Sequence, residues 1–167
     1  MKAKLIIEGK EFDIDILDPE LEKLVKPKKK TGYERIDGQC MYWAVLPDGD
    51  SYAQFETNSY WDDEMYECAN YYSDKTVADN NARADRLMRQ LRRFAVEHRE
   101  KDISWCDYSY KYYIFYDHNS NTFDTIDNQA HETYGTIYFE SAKSAVAAIE
   151  TFRDELIWYF TEYKDSL

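Results

Sequence analysis

Carboxylates, histidines and cysteines are the side chains of this sequence that could do chemistry, and their spacing limits what each could do. Asp117, Asn119 and Asn121 alternate like the first ligands of a calcium loop, but Thr122 and Asn128 replace the glycine and glutamate such a loop requires. The three histidines share no metal-ligand spacing with the cysteines, and the chain has no glycine-rich phosphate loop. We therefore expect neither a metal site nor a cofactor, and we interpret residues 117–121 as a hairpin turn.

An acidic run, Asp62-Asp63-Glu64 followed by Glu67, is the densest group of carboxylates. Such a group can bind a metal or act as general acid and base, but a solvated acidic loop is the interpretation we favour. A Cys–His nucleophile pair stays open at this point, although Cys40 and Cys68 are expected to be small core residues. Since no catalytic constellation is found, the sequence predicts a protein that is not an enzyme.

The composition favours a folded, acidic, aromatic protein. The chain has 167 residues, a formal net charge of −12 and 17% aromatic residues, including 16 Tyr. Disordered acidic chains are poor in aromatics, and no apolar run is long enough for a transmembrane helix. The charged N-terminus does not resemble a signal peptide, and three scattered cysteines favour a reducing compartment. We therefore expect a cytoplasmic protein without a membrane partner.

The net charge is unevenly distributed along the chain. Residues 31–82 carry a net charge of −9 and residues 102–167 one of −8, whereas residues 83–101 carry +4. Two acidic segments therefore surround one Arg-rich segment. This pattern fits a solvated surface with internal ion pairs, and it also fits an acidic surface that meets a cationic partner.

Hydrophobic periodicity predicts three β-hairpins and two long helices. Alternation predicts strands at 3–8 and 11–17, at 33–36, 39–46 and 51–57, and at 112–117 and 122–127, with a further short strand at 136–139. Asp37-Gly38 predicts a hairpin between the strands 33–36 and 39–46. Helical spacing predicts helices over about 74–99, capped by Ser73, and about 142–162, capped by Ser141. Residues 58–72 are expected to be a loop with a short helical turn.

The order of these elements predicts an α+β fold with an internal repeat. Residues 1–30 form an N-terminal β-hairpin and a short helix that opens at Asp18-Pro19 and ends in a Lys-rich linker. Residues 31–101 and 102–167 each form a β-hairpin followed by an Ala-rich amphipathic helix. Since one such unit buries little apolar surface alone, we expect the two units to share one core.

Several stretches resemble a family of small proteins carried by prophages and integrative elements of Firmicutes, Clostridia in particular. They are 29–35 (KKTGYER), 69–74 (ANYYSD), 80–95 (NNARADRLMRQLRRFA) and 135–139 (GTIYF). The resemblance covers most of the chain and implies an accessory protein of a mobile element, located in the cytoplasm of a bacterial host cell. It supplies no catalytic residues, and it implies that residues 37–67 are the variable part, where partner specificity would reside.

Two functions are open from the sequence. In the first, the protein is a non-enzymatic inhibitor of a host defence protein, anti-CRISPR-like, whose acidic, Tyr-rich surface mimics DNA and blocks an effector nuclease. That surface would include Asp48, Asp50, Tyr60, Trp61, Asp62, Asp63, Glu64, Glu67, Asp117, Asp124 and Asp127. In the second, a regulator binds nucleic acid or a signalling nucleotide through guanidinium groups of the 83–99 helix, namely Arg83, Arg86, Arg89 and Arg93.

Overall fold

The computed structural model describes residues 2–7, 10–15, 30–128 and 130–163, and these form an α+β fold. The N-terminal hairpin pairs β1 (Lys2–Ile7) with β2 (Lys10–Asp15). A second hairpin pairs β3 (Met41–Val45) with β4 (Ser51–Phe55), and a third pairs β5 (Lys111–Asp117) with β6 (Thr122–Asn128). The short helix predicted after Asp18-Pro19 and most of the Lys-rich linker lie outside the described residues.

Five helical segments complete the described elements. They are α1 (Tyr60–Glu67), α2 (Lys75–Glu97), α3 (Ala142–Thr151), α4 (Arg153–Trp158) and a π-helical turn at Tyr159–Tyr163. The Ser141 cap is confirmed, because its side chain accepts a hydrogen bond from the Ser144 amide. The predicted helix 142–162 is interrupted at Phe152, whose ring packs edge-on against Phe94.

The same arrangement of elements occurs twice, as the internal repeat predicted. In the first unit, Trp43 of β3 forms an isolated bridge with Tyr72, and the helix cap Asp74 follows two residues later. In the second unit, Tyr112 of β5 bridges to Phe139, and the cap Ser141 again follows two residues later. Each unit is thus a hairpin, a returning segment that pairs with the first strand, and a helix.

The units share one main core, which lies between the second half of α2, the β5–β6 hairpin and the C-terminal helices. Its buried residues are Leu87, Leu91, Phe94, Ala95, Phe139, Ala145, Ala148, Ile149 and Leu156. A smaller cluster of Tyr42, Ala44 and Tyr71 lies against the β3–β4 hairpin, with Ile36, Tyr52 and Met65 packed on it. Apolar side chains at helical spacing on α2 and α3 therefore face this common interior.

Three sequence predictions about local structure are wrong. Residues 33–36 form no strand, because β3 pairs with β4 on one edge and Trp43 bridges to Tyr72 on the other. The cap of α2 is Asp74, whose carboxylate accepts from the amides of Thr76 and Val77, whereas the Ser73 hydroxyl donates to Glu34. The strand predicted at 136–139 is reduced to the single bridge of Phe139.

Candidate functional site

Helix α1 begins with a reciprocal capping box. The Ser59 hydroxyl accepts from the Asp62 amide at 3.4 Å, and the Asp62 carboxylate accepts from the Ser59 amide at 3.0 Å. Both contacts satisfy amides that an isolated helix leaves unpaired. The spacing Ser59-x-x-Asp62 was the sequence signal for this helix, in a region predicted only to contain a helical turn.

Asp62 is buried, so its predicted role as a surface contact is wrong. The side chain of Asp62 is 1% exposed, and it accepts hydrogen bonds from the Tyr42 hydroxyl at 2.9 Å, the Thr57 amide at 2.9 Å and the Thr57 hydroxyl at 2.8 Å. Burial alone would raise the pKa of Asp62, but the hydrogen bonds donated by Ser59 and Thr57 outweigh it and lower that pKa. Asp62 therefore anchors α1 to β3.

A second buried carboxylate, Glu56, anchors the segment that precedes α1. Its two oxygens accept from Arg35 Nε and Nη2, each at 3.2 Å, and from the Tyr71 hydroxyl at 2.8 Å. The same guanidinium donates from Nη1 to Asp63 at 2.6 Å. Burial alone would raise the pKa of Glu56, but the hydrogen bonds from Arg35 and Tyr71 lower it overall. Arg35 thus connects Asp63 of α1 to the buried Glu56 in the segment before the helix, a role that the sequence did not predict.

The outward side of α1 carries aromatic and acidic side chains together. Asp62 and Met65, three residues apart, face the protein, so Tyr60, Glu64 and Glu67 at positions i, i+4 and i+7 point the opposite way. Tyr60 is 77% exposed and Trp61 53% exposed. A hydrogen bond to Glu64 raises the pKa of the Tyr60 hydroxyl.

We call this the α1 surface, and it consists of Tyr60, Trp61, Asp63, Glu64, Tyr66 and Glu67. Below it, the rings of Tyr42 and Tyr71 stack with centroids 4.0 Å apart, and Tyr66 meets Tyr71 edge-on at 5.5 Å. The guanidinium of Arg35 lies 5.8 Å from the Tyr66 ring centroid. The α1 surface is therefore supported by a packed aromatic and ionic layer.

Asp48 and Asp50 do not join the α1 surface. They belong to the tight connection between Val45 and Ser51, whereas α1 follows the other end of the hairpin, where Met41 pairs with Phe55. Strands of this length separate the two ends by about 13 Å. The Asp50 carboxylate also lies 3.7 Å from the guanidinium of Arg86.

The carboxylates of the third hairpin are divided between its two faces. Asp117 is paired with Thr122 and Asp124 with Phe115, so both acidic side chains project from one face. Asp127 is paired with Tyr112 and projects from the opposite face. Asp117 accepts from the Asn119 amide and the Ser120 hydroxyl within the 118–121 turn. The acidic residues predicted to contact a partner therefore lie in separate groups.

Four of the five arginines of α2, those predicted to bind phosphate, contact other groups of the chain. Arg83 donates to both oxygens of Glu155, at 2.8 and 3.0 Å, and stacks over Trp158 with its guanidinium carbon 3.9 Å from the ring centroid. Arg86 donates to the Gly49 carbonyl and Arg89 to the Pro47 carbonyl.

Arg93 lies 3.9 Å from Glu97 on the same helix. The other three guanidinium groups brace the β3–β4 turn and the C-terminal helices. Their engagement argues against the alternative that they bind phosphate.

Cys40 and Cys68 are exposed, so the prediction that they are core residues is wrong. Both side chains lie outside the buried cluster of the first unit, which Tyr42, Ala44 and Tyr71 fill. In the described part of the chain, no group of three or more His, Cys, Asp or Glu is placed to hold a metal ion. No helix among the described residues is long and apolar enough to cross a membrane.

Comparison of the chain with protein-family models, with curated proteins and with solved structures finds no significant match. The fold defines the chain as an α+β protein of two hairpin-plus-helix units with an added N-terminal hairpin. The relation to mobile-element proteins remains a prediction from the sequence motifs.

Proposed function

We propose that this chain is a non-catalytic binding protein that docks the α1 surface onto a basic groove of a partner. The observation that carries the proposal is the exposure of Tyr60 and Trp61 on a helix that is fixed from below by buried Asp62 and Glu56. Exposed Tyr and Trp side chains supply most of the binding energy in many interfaces, because they bury large areas at small entropic cost.

The rigidity of the α1 surface favours binding. Its helix is held by the capping box, by the Tyr42–Asp62 hydrogen bond and by the Arg35–Asp63 ion pair at 2.6 Å. A surface that is ordered before it binds loses little conformational entropy on association, so more of the contact energy is retained as affinity. Glu64 and Glu67 then select a cationic partner and accelerate the encounter.

The partner class follows from this charge and from the resemblance to mobile-element proteins. A groove rich in Lys and Arg that normally holds DNA is complementary to an acidic, aromatic helix. A host defence nuclease of the RNA-guided type has such a groove. Inhibition by occupation of that groove needs no catalytic residue on this chain.

The experiment measures DNA cleavage by a purified RNA-guided nuclease from a Firmicutes host, with this protein at about tenfold excess. We expect inhibition by the wild-type protein and its loss in the double variant Tyr60→Ala/Trp61→Ala. The matched control is Tyr134→Ala, because Tyr134 is a fully exposed aromatic far along the chain in the second unit. Two hot-spot residues predict an increase of at least tenfold in the half-inhibiting concentration.

A second measurement separates the surface from the choice of nuclease. A photo-crosslinking amino acid is placed at position 61, or at 134 as the control, in cells of a bacterial host. We expect one dominant basic partner from position 61 only. Equal capture from both positions would contradict the assignment of α1, whereas unaffected cleavage alone would exclude only that nuclease as the partner.

A further inference from the structure

The two units can be compared residue by residue, because each has the same bridge between its first strand and its returning segment. The bridges Trp43–Tyr72 and Tyr112–Phe139 make Ala44 equivalent to Tyr113 and Tyr71 equivalent to Tyr138. Strand pairing then makes Tyr52, opposite Ala44, equivalent to Ile126, opposite Tyr113. These positions form one face of each hairpin, the face turned away from the unit's long helix.

In the first unit this face is covered by a helix. Tyr42, Ala44 and Tyr71 are almost completely buried, and Met65 of α1 packs on them together with Ile36. The covering helix lies in the connection between β4 and the bridge, which spans residues 56–71.

In the second unit the same face is only partly covered. Trp105 packs edge-on against Tyr138 at 5.0 Å, and the ammonium of buried Lys111 lies 5.3 Å from the Trp105 ring centroid. The connection between β6 and the bridge is shorter, residues 129–138, and its described residues 130–138 contain no helix. Ile126 is 37% exposed, whereas its equivalent Tyr52 packs on the buried cluster of the first unit. Phe115 is 41% exposed, and its equivalent Leu46 in the first unit is 37% exposed.

We propose that this face of the β5–β6 hairpin binds a basic amphipathic helix of a partner protein. We define the β5–β6 face as Tyr113, Phe115, Ile126, Asp117 and Asp124. Its apolar residues supply the contact, and its two carboxylates supply the preference for Lys and Arg.

The geometry fits one helix. Tyr113 and Phe115 are two residues apart on β5, so their side chains lie about 7 Å apart, close to the spacing of positions i and i+4 along a helix. Ile126 lies beside Tyr113 on the neighbouring strand. A helix with two or three apolar side chains on one side therefore covers the exposed part of the face.

The α1 helix of a second copy of this chain cannot occupy the β5–β6 face, because both surfaces are acidic. The outward side of α1 carries Asp63, Glu64 and Glu67, and these would meet Asp117 and Asp124 on the β5–β6 face. Like charges brought together at an interface are strongly unfavourable. The inference is independent of the proposed function, because it concerns different residues on a different unit.

The test is a fluorescence anisotropy titration of the full chain with a labelled amphipathic peptide of about 14 residues made of Leu and Lys. We expect the double variant Phe115→Ser/Ile126→Thr to weaken binding at least tenfold. The control Val146→Ser/Ile157→Thr changes side chains of matched exposure, 44% and 37%, on other elements and should alter the dissociation constant less than twofold. Thermal unfolding checks that both variants fold.

Charge provides a readout that does not depend on the apolar substitutions. Asp117→Asn/Asp124→Asn should weaken binding and reduce its salt dependence, and a Leu/Glu peptide of the same pattern should not bind. Equal binding by both apolar double variants, equal binding of the Leu/Glu peptide, or no binding at about 100 µM Leu/Lys peptide would each overturn the proposal. Sedimentation should show that the protein is a monomer. A dimer that dissociates in the Phe115→Ser variant would instead assign the β5–β6 face to a second copy of this chain.

Discussion

Replacing Asp62 by alanine is expected to destabilise the protein by about 3 kcal/mol. The capping box of α1 contributes about 1 kcal/mol of this loss. The buried Tyr42 hydroxyl, left without its 2.9 Å acceptor, adds about 1–3 kcal/mol, because an unsatisfied buried donor loses its hydration without compensation. For a chain of this length, the result is a decrease of about 6–12 °C in the melting temperature.

The assay is urea unfolding of the wild type, Asp62→Ala, Tyr42→Phe and the double variant, followed by circular dichroism. Tyr42→Phe keeps the ring stacked on Tyr71 and removes only the hydroxyl. The double variant has no Tyr42 hydroxyl left without an acceptor. Its loss in free energy of unfolding should therefore be smaller than the sum of the two single losses by about 1 kcal/mol or more. A loss below about 1 kcal/mol for Asp62→Ala, or strictly additive losses, would refute the anchoring role.

Three further predictions concern other supports of the fold. The pKa of Glu56 is lowered in the folded state, so its ionised carboxylate adds to the free energy of unfolding above the unfolded pKa of about 4.3. This stabilisation is lost as the pH falls below that value. Glu56→Gln should therefore flatten the dependence of the urea midpoint on pH in that range. Gly32→Ala should destabilise more than Gly135→Ala in thermal unfolding, since both have positive φ but only at Gly32 would the new methyl group meet another side chain, 2.6 Å from Val77 Cγ2. A double-mutant cycle on Arg83 and Glu155 should give a coupling below about 1 kcal/mol, because both side chains are more than a third exposed; a value above about 2 kcal/mol would contradict that reasoning.

The α+β class and the repeated unit were predictable from the sequence because they depend on local patterns. Alternation marks β5 and β6 to within one residue, and helical spacing marks α2 to within two residues at its C-terminal end. Ser141 caps α3 with its own hydroxyl, a contact between residues three apart. Such features involve neighbours in the chain, so they leave a signature in it.

The composition of the α1 surface was also predictable, since Tyr60, Trp61, Asp63, Glu64 and Glu67 are consecutive or nearly so. Which of the carboxylates reaches solvent was not. In the sequence Asp62 cannot be distinguished from the adjacent acidic residues. Only in the folded protein does β3 place the Tyr42 hydroxyl 2.9 Å from the Asp62 carboxylate. Burial therefore depends on contacts between residues far apart in the chain, and charge counting along the sequence does not contain them.

The sequence by itself determined the α+β class, the repeated hairpin-plus-helix unit, the excess of negative charge and the aromatic content. The tertiary structure alone decided where that charge lies. It engages the α2 arginines with Glu155 and with carbonyls of the β3–β4 turn, and it places Asp124 and Asp127 on opposite faces of one hairpin. The physical reason is that electrostatic and apolar surfaces are properties of distance in space, which packing sets, whereas periodicity and capping act along the chain.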